Sequence, residues 1–147
     1  MTYNHAPHRF EAGTPPVVEA ARLGAALAYV SELGRDAILA HETALKDYTH
    51  ARLEGFGGIE IYGRAEHKGS TVAFNLKGTH ALARILDRAG VAVRAGTHCA
   101  LPLLARLRTT STCWASFGLY STKDKVDALI EAFATARRIL VSRAAGA

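Results

Sequence analysis

The sequence predicts a small two-layer α/β domain. Two long alanine-rich helical stretches open the chain, the apolar period switches to two after Gly58, and an amphipathic helical stripe runs near the end. Helices followed by strands mixed with helices suit one sheet packed on helices rather than a bundle or a sandwich.

The elements follow in order. Met1 to Gly13 has no usable periodicity and reads as an extended arm, with residues 1–16 as the arm and 17–147 as a single small domain. Pro15 and Pro16 open a helix with Thr14 as its cap, and Val17, Val18, Ala21, Ala25 and Val30 among many alanines give it the composition of a buried helix, ending at Gly34. A second helix covers 36–53, with Ile38, Leu45 and Tyr48 on one side and His41, Lys46 and His50 elsewhere, broken by Gly55, Gly57 and Gly58. Ile59 and Ile61 alternate with Glu60 and Tyr62, and Val72, Phe74 and Leu76 alternate with Thr71, Ala73 and Asn75. These are two half-buried strands. A short helix over 80–89 stops at Gly90, and 91–94 reads as a strand. Residues 95–100 form a loop, and Pro102 opens a short helix with Leu103, Leu104 and Leu107. Residues 113–120 form another strand, on which Cys113 alternates with Ala115, Phe117 and Leu119 toward a core. Ser121 and Asp124 resemble a capping box before the stripe Val126, Leu129, Ile130 and Phe133.

Composition excludes several classes. A 147-residue chain that is 49% hydrophobic has material for a real core, so disorder is not expected. The net charge of +5 is scattered apart from Arg137, Arg138 and Arg143, which read as a solvated helix face, and no nucleic-acid motif accompanies it. Two cysteines make no disulfide framework, and there is no secretion signal or bilayer-length apolar run. A soluble cytoplasmic protein with reduced thiols is the expectation.

Chemistry concentrates in Arg94-Ala95-Gly96-Thr97-His98-Cys99-Ala100-Leu101-Pro102-Leu103. Cys99 lies in a loop between strand and helix, beside His98 and five residues from Arg94. Neighbouring cations favour the reactive thiolate, whereas most free cysteines are small buried hydrophobes, the role expected of Cys113.

These residues resemble the SufS-type cysteine desulfurases of the class V aminotransferase family, which carry an arginine and then Gly-His-His-Cys-Ala-x-Pro-Leu here. Gly96, His98, Cys99, Ala100, Pro102 and Leu103 match, and Thr97 replaces the first histidine. The arm Arg9-Phe10-Glu11-Ala12-Gly13-Thr14-Pro15 matches a second family motif. Ala115-Ser116-Phe117, Tyr120, Thr122 and Val126-Asp127 match the C-terminal strand and helix. The likeness runs from about His8 to Leu140.

The resemblance implies the small C-terminal domain of a fold-type I pyridoxal-phosphate enzyme, a short and mostly antiparallel sheet packed with helices. It implies an L-cysteine desulfurase that leaves a persulfide on Cys99 and releases alanine, using pyridoxal phosphate as electron sink. By the same likeness Arg94 and His98 serve the substrate, Gly13 and Thr14 the cofactor phosphate, and the partners are a second copy or a large domain and a SufE-like sulfur acceptor for iron–sulfur cluster assembly.

The match departs at three places. The family's cofactor lysine in Ser-x-His-Lys has no counterpart, because His67-Lys68-Gly69 lies between two predicted strands without the flanking residues. Trp114 stands fifteen positions after the cysteine (114 minus 99), where the family has a carboxylate-binding arginine. The helix start at Gly78-Thr79-His80 is shorter, which leaves His80 as a capping or surface residue. The chain alone is therefore expected not to bind the cofactor covalently. A stand-alone sulfane-sulfur carrier and a structural dimerisation module are the competing readings.

Overall fold

A computed structural model describes residues 2–76 and 79–145, with side chains outside the description at 79–80 and 141–145. The candidate His80 side chain, Gly78 and the Arg143 side chain therefore lie outside the described residues. The chain forms two compact units, Met1–Ala37 and Ile38–Ala147.

In the first unit, the arm passes through turns at residues 6–10 before helix α1, Val17–Leu33. The predicted Thr14 cap is corrected. Pro16 occupies the N-cap with no side-chain bond, and Pro15 and Pro16 themselves present carbonyls to Val17 N–H and Ala20 N–H at 2.8 and 3.0 Å. Two consecutive prolines fix φ before the first turn, and the Pro15 carbonyl takes the Val17 N–H in place of a side-chain cap. Gly34 ends the helix at φ 83°, a left-handed position that glycine takes without a Cβ penalty. The predicted burial of α1 is also corrected, since none of its residues is buried. Alanine-rich composition permits burial, but a helix buries a face only against a surface, and the short arm provides none.

Helix α2, Arg35–Glu54, runs into the second unit and there buries Leu45, Lys46, Thr49 and Leu53. Lys46, read as lying off the apolar side, is 7% exposed, its methylene stem covered and its amine 3.0 Å from Asp47. Strands β1 (Glu60–Tyr62) and β2 (Thr71–Asn75) precede helix α3 (Thr79–Arg88), then β3 (Arg94–Gly96), α4 (Leu101–Arg106), β4 (Thr112–Ser116) and α5 (Lys123–Ala145). The sheet order is β1-β2-β4-β3 with every pair antiparallel, in keeping with the mostly antiparallel sheet that the family resemblance implied.

Two strand limits differ from the sequence reading. Val91 does not start β3 but finishes α3. Its N–H reaches Leu86 O at 3.0 Å and the Gly90 N–H reaches Asp87 O at 2.9 Å, with Gly90 at φ 77°, a Schellman ending. Pairing then begins at Arg94, opposite Trp114. Strand β4 stops at Ser116, because its partner β2 starts at Thr71, the residue opposite Ser116. Beyond that point Phe117 stays buried without a ladder partner, and the predicted capping serine acts elsewhere: Ser121 Oγ accepts the Gly118 N–H at 3.1 Å.

Alternation along each strand sorts the sheet into two faces. Across one face run Ile61, Phe74, Cys113 and Ala95, in register, against Leu82, Leu86, Val126, Leu129 and Phe133 of α3 and α5. Phe74 and Phe133 meet edge-to-face at 5.0 Å between centroids. Tyr48 Oη donates to Asp127 Oδ1 at 2.8 Å and Arg52 pairs with the same carboxylate, which ties α2 to α5. The opposite face carries the row Tyr62, Ala73, Trp114, Arg94. Among the described residues no helix is long and apolar enough to cross a membrane.

Candidate functional site

The second sheet face is roofed by the segment from Thr97 to Leu107, and a cavity of about 480 Å³ lies between them. Tyr62, Ala73, Thr112 and Trp114 form its floor, Leu103, Leu104 and Leu107 of α4 its roof, and Gly63, Lys68 and Gly69 of the β1–β2 loop one end. His98 also lines it. A cavity of this size with largely apolar walls suits a small molecule.

Cys99 reaches the surface through the turn that precedes α4. The Ala100 N–H bonds to Thr97 O at 2.9 Å, and the two residues between, His98 and Cys99, have φ of 55° and 56°. Positive φ at both central positions is the pattern of a type I′ turn, which glycine and asparagine favour and β-carbons oppose. The geometry puts two chemically active side chains where the backbone costs about 1–2 kcal/mol per residue. Cys99 is exposed at the tip, whereas Cys113 is fully buried and burial pushes its thiol up to about 11.

His98 is held on two sides. Its Nε2–H donates to Thr112 O at 2.8 Å, and its ring stacks on Trp114 at 3.8 Å with planes 12° apart. Because a carbonyl only accepts, Nε2 carries a proton in this bond. Nδ1 is buried and has no hydrogen-bond partner among the described residues. Arg94, the cross-strand neighbour of Trp114, sets its guanidinium 5.8 Å from the indole centroid. Arg94 itself is exposed and does not line the cavity.

Lys68 is the cavity's one Asp, Glu, Lys or Arg side chain among the described lining residues. Its amine donates to Gly63 O at 2.8 Å and to His50 Nε2 at 3.1 Å, so His50 accepts there as a neutral ring. Burial, then the charges of Lys46 and Arg64, hold Lys68 below the ordinary lysine value. Burial and then Lys68 hold His50 below the ordinary histidine value. As predicted, Lys68 lies in the loop between β1 and β2.

The structure thus brings Cys99 and His98 into one turn and adds Arg94 through Trp114. Gly13 and Thr14 belong to the other unit, with Gly13 at φ 87°. Residues 1–129 match the family model described as aminotransferase class-V.

The chain belongs to the class-V aminotransferase family.

Relatives of this class-V chain include the probable cysteine desulfurase of Streptomyces coelicolor, 46% identical over 134 residues, 88% of this chain and 32% of the relative. The cysteine desulfurase of Dickeya dadantii is 45% identical over 141 residues, 95% of this chain and 34% of the relative. Among solved structures, the cysteine desulfurase CsdA of Escherichia coli superposes with a TM-score of 0.81 at 34% identity, covering 92% of this chain and 34% of that one. The apo cysteine desulfurase of Thermococcus onnurineus gives 0.79 at 34% identity over 86% and 32%. The chain therefore spans about a third of the relatives it matches, and the fold is that of these pyridoxal-phosphate enzymes.

The cavity's residues do not fit the family's cofactor. The Lys68 amine is engaged by Gly63 O and His50, and no aspartate or glutamate among the described lining residues stands ready for a pyridine nitrogen. Sequence reasoning missed two functional-site features, the Trp114–His98 stack and the place of Lys68 in the cavity. The first was accessible in principle. Antiparallel pairing that sets Arg94 and Thr112 beside their neighbours also brings the turn after Gly96 over the same face as Trp114. The second depends on how an eight-residue loop folds (63–70), for which the sequence carries no period.

Proposed function

We propose that this chain is the persulfide-carrying C-terminal module of a SufS-type cysteine desulfurase, working with a large domain that supplies the cofactor lysine. Its residues 1–16 act as the arm and 17–147 as the small domain. The reading rests most on one observation, the exposed Cys99 thiol at the tip of a turn whose two central residues are both left-handed.

In this reading the C–S bond of free L-cysteine breaks and an S–S bond to Cys99 Sγ forms. The carbon skeleton leaves as alanine, with one thiol hydrogen ending on its methyl group and the other on the terminal sulfur. Pyridoxal phosphate, held by the large domain, supplies the electron sink for that cleavage. Within this chain, His98 fixes the turn that aims Cys99, through its bond to Thr112 O and its stack on Trp114. Arg94 offers the substrate carboxylate a cation, and Gly13 and Thr14 meet the cofactor phosphate of a partner copy in a homodimer. The persulfide then passes to a SufE-like thiol by exchange, in the cytoplasm, toward iron–sulfur clusters.

The test pairs this chain with the large domain of the Streptomyces relative and follows alanine release from L-cysteine. Cys99→Ala should abolish turnover while Cys113→Ala, if folded, keeps it. Equal turnover with Cys99→Ala would end the proposal.

A further inference from the structure

Cavity residues and the charge balance around Lys68 carry an inference that goes beyond the desulfurase reading and stands even if Cys99 never carries sulfur. Lys68 is the one Asp, Glu, Lys or Arg side chain among the cavity's described lining residues, and among the described residues no salt bridge joins it to a carboxylate. Its two partners, a carbonyl and a neutral imidazole, are acceptors without charge. Asp47 attracts the ammonium from a distance, but burial and the charges of Lys46 and Arg64 outweigh that attraction, so an anionic ligand reaching Lys68 through the cavity would be favoured. One ammonium suits a monoanion. A phosphate dianion calls for more donors than this end of the cavity presents.

The rest of the cavity specifies the body of such a ligand. Trp114 offers an indole already stacked by His98, with Ala73 beneath and Leu103, Leu104 and Leu107 above. At about 480 Å³ the space exceeds what a three-carbon amino acid needs and suits a ring or a branched aliphatic chain. Nothing in these walls repays the burial of a second charge.

We propose that this cavity binds a monocarboxylic acid with an aromatic or branched apolar body, its carboxylate on Lys68 Nζ and its body on Trp114 under the α4 leucines. Lys68 is then the specificity-determining residue, at the opposite end of the ligand from Trp114.

Trp114 is the chain's single tryptophan, so its fluorescence, excited at the red edge, reports the cavity directly. The full chain is titrated with benzoate, with its neutral isostere benzamide and with inorganic phosphate. Benzoate should change Trp114 emission and bind about tenfold or more tighter than benzamide, the ratio a charge-assisted hydrogen bond gives, and phosphate should not compete. Lys68→Arg should keep the preference and Lys68→Met should erase it. Equal binding of benzoate and benzamide, or a preference that survives Lys68→Met, overturns the proposal. Phosphate that displaces benzoate equally well overturns it too. Should Lys68→Met fail to fold, the wild-type ratio and Lys68→Gln decide the matter. These titrations use the chain without a large domain, where no sulfur is transferred, so their result is separate from the fate of the sulfur chemistry.

Discussion

Glycine substitutions at the two left-handed turn residues should change stability in opposite directions. At Cys99 the φ of 56° costs an L-residue about 1–2 kcal/mol, and the exposed side chain has no hydrogen bond among the described residues to lose. Glycine removes that cost but loosens the unfolded chain by about 0.4–1 kcal/mol. Cys99→Gly should therefore stabilise by about 0.5–1 kcal/mol, a rise of roughly 2–5 °C in Tm for a domain of this size. At His98 the same backbone relief at φ 55° is set against a hydrogen bond to Thr112 O and a ring stack. Those contribute about 0.5–1.5 kcal/mol each, so His98→Gly should destabilise by about 0.5–2 kcal/mol. Urea unfolding of the two variants beside the parent decides the matter. If both variants lose stability equally, the turn does not hold Cys99 in the conformation described and the strain argument fails.

Cys99 should alkylate far faster than Cys113 in brief iodoacetamide labelling read by peptide mass. A thiol pushed up to about 11 leaves on the order of one part in a thousand as thiolate at pH 8, apart from its burial, and equal labelling would contradict the assignment. Phe133→Ala should cost about 3–5 kcal/mol, because it empties a fully buried ring site against Phe74, and denaturant midpoints measure it. The His50 ring, titrated by NMR, should have a value below 6.5 that rises in Lys68→Met. Since its folded value is lowered, the unfolded chain binds the proton first, and His50's share of stability is present above pH 6.5 and lost as pH falls below it. In the enzyme completed with a large domain, Trp114→Arg should raise alanine release at least about tenfold if the substrate carboxylate lacks its forked partner, since such a pair is worth about 2–5 kcal/mol. An unimpaired parent rate would place the carboxylate on Arg94 or Lys68 instead.

Much of the fold was legible because its signals are periodic. The 3.6-residue stripe of Val126, Leu129, Ile130 and Phe133 and the alternation of Val72 and Phe74 with Ala73 report which side chains face the core, and the six that face it are all buried. Composition misled where it stood in for periodicity. Helix α1 is rich in alanine, yet within its own unit none of its residues is buried, since burial requires a surface that no local sequence describes. The run Val91-Ala92-Val93 looked like a strand by β-propensity, but the Schellman bonds at the end of α3 claimed Val91 first. The reactive loop was found by residue type and by family likeness. Its conformation was not, because neither His98 nor Cys99 is a residue that announces positive φ. Long-range arrangement explains the remaining gap. Trp114 read as a lost arginine, but in space it is also the surface on which His98 rests.

The central claim is that Cys99 receives sulfur from cysteine, and an isotope locates that atom directly. The chain, completed with a large domain, is given cysteine labelled with heavy sulfur and quenched with an alkylating agent before digestion. The account predicts one labelled sulfur on the Cys99 peptide, blocked at its outer end, with an equal amount of alanine released. Alanine without labelled sulfur on Cys99, or label on Cys113 instead, would contradict it.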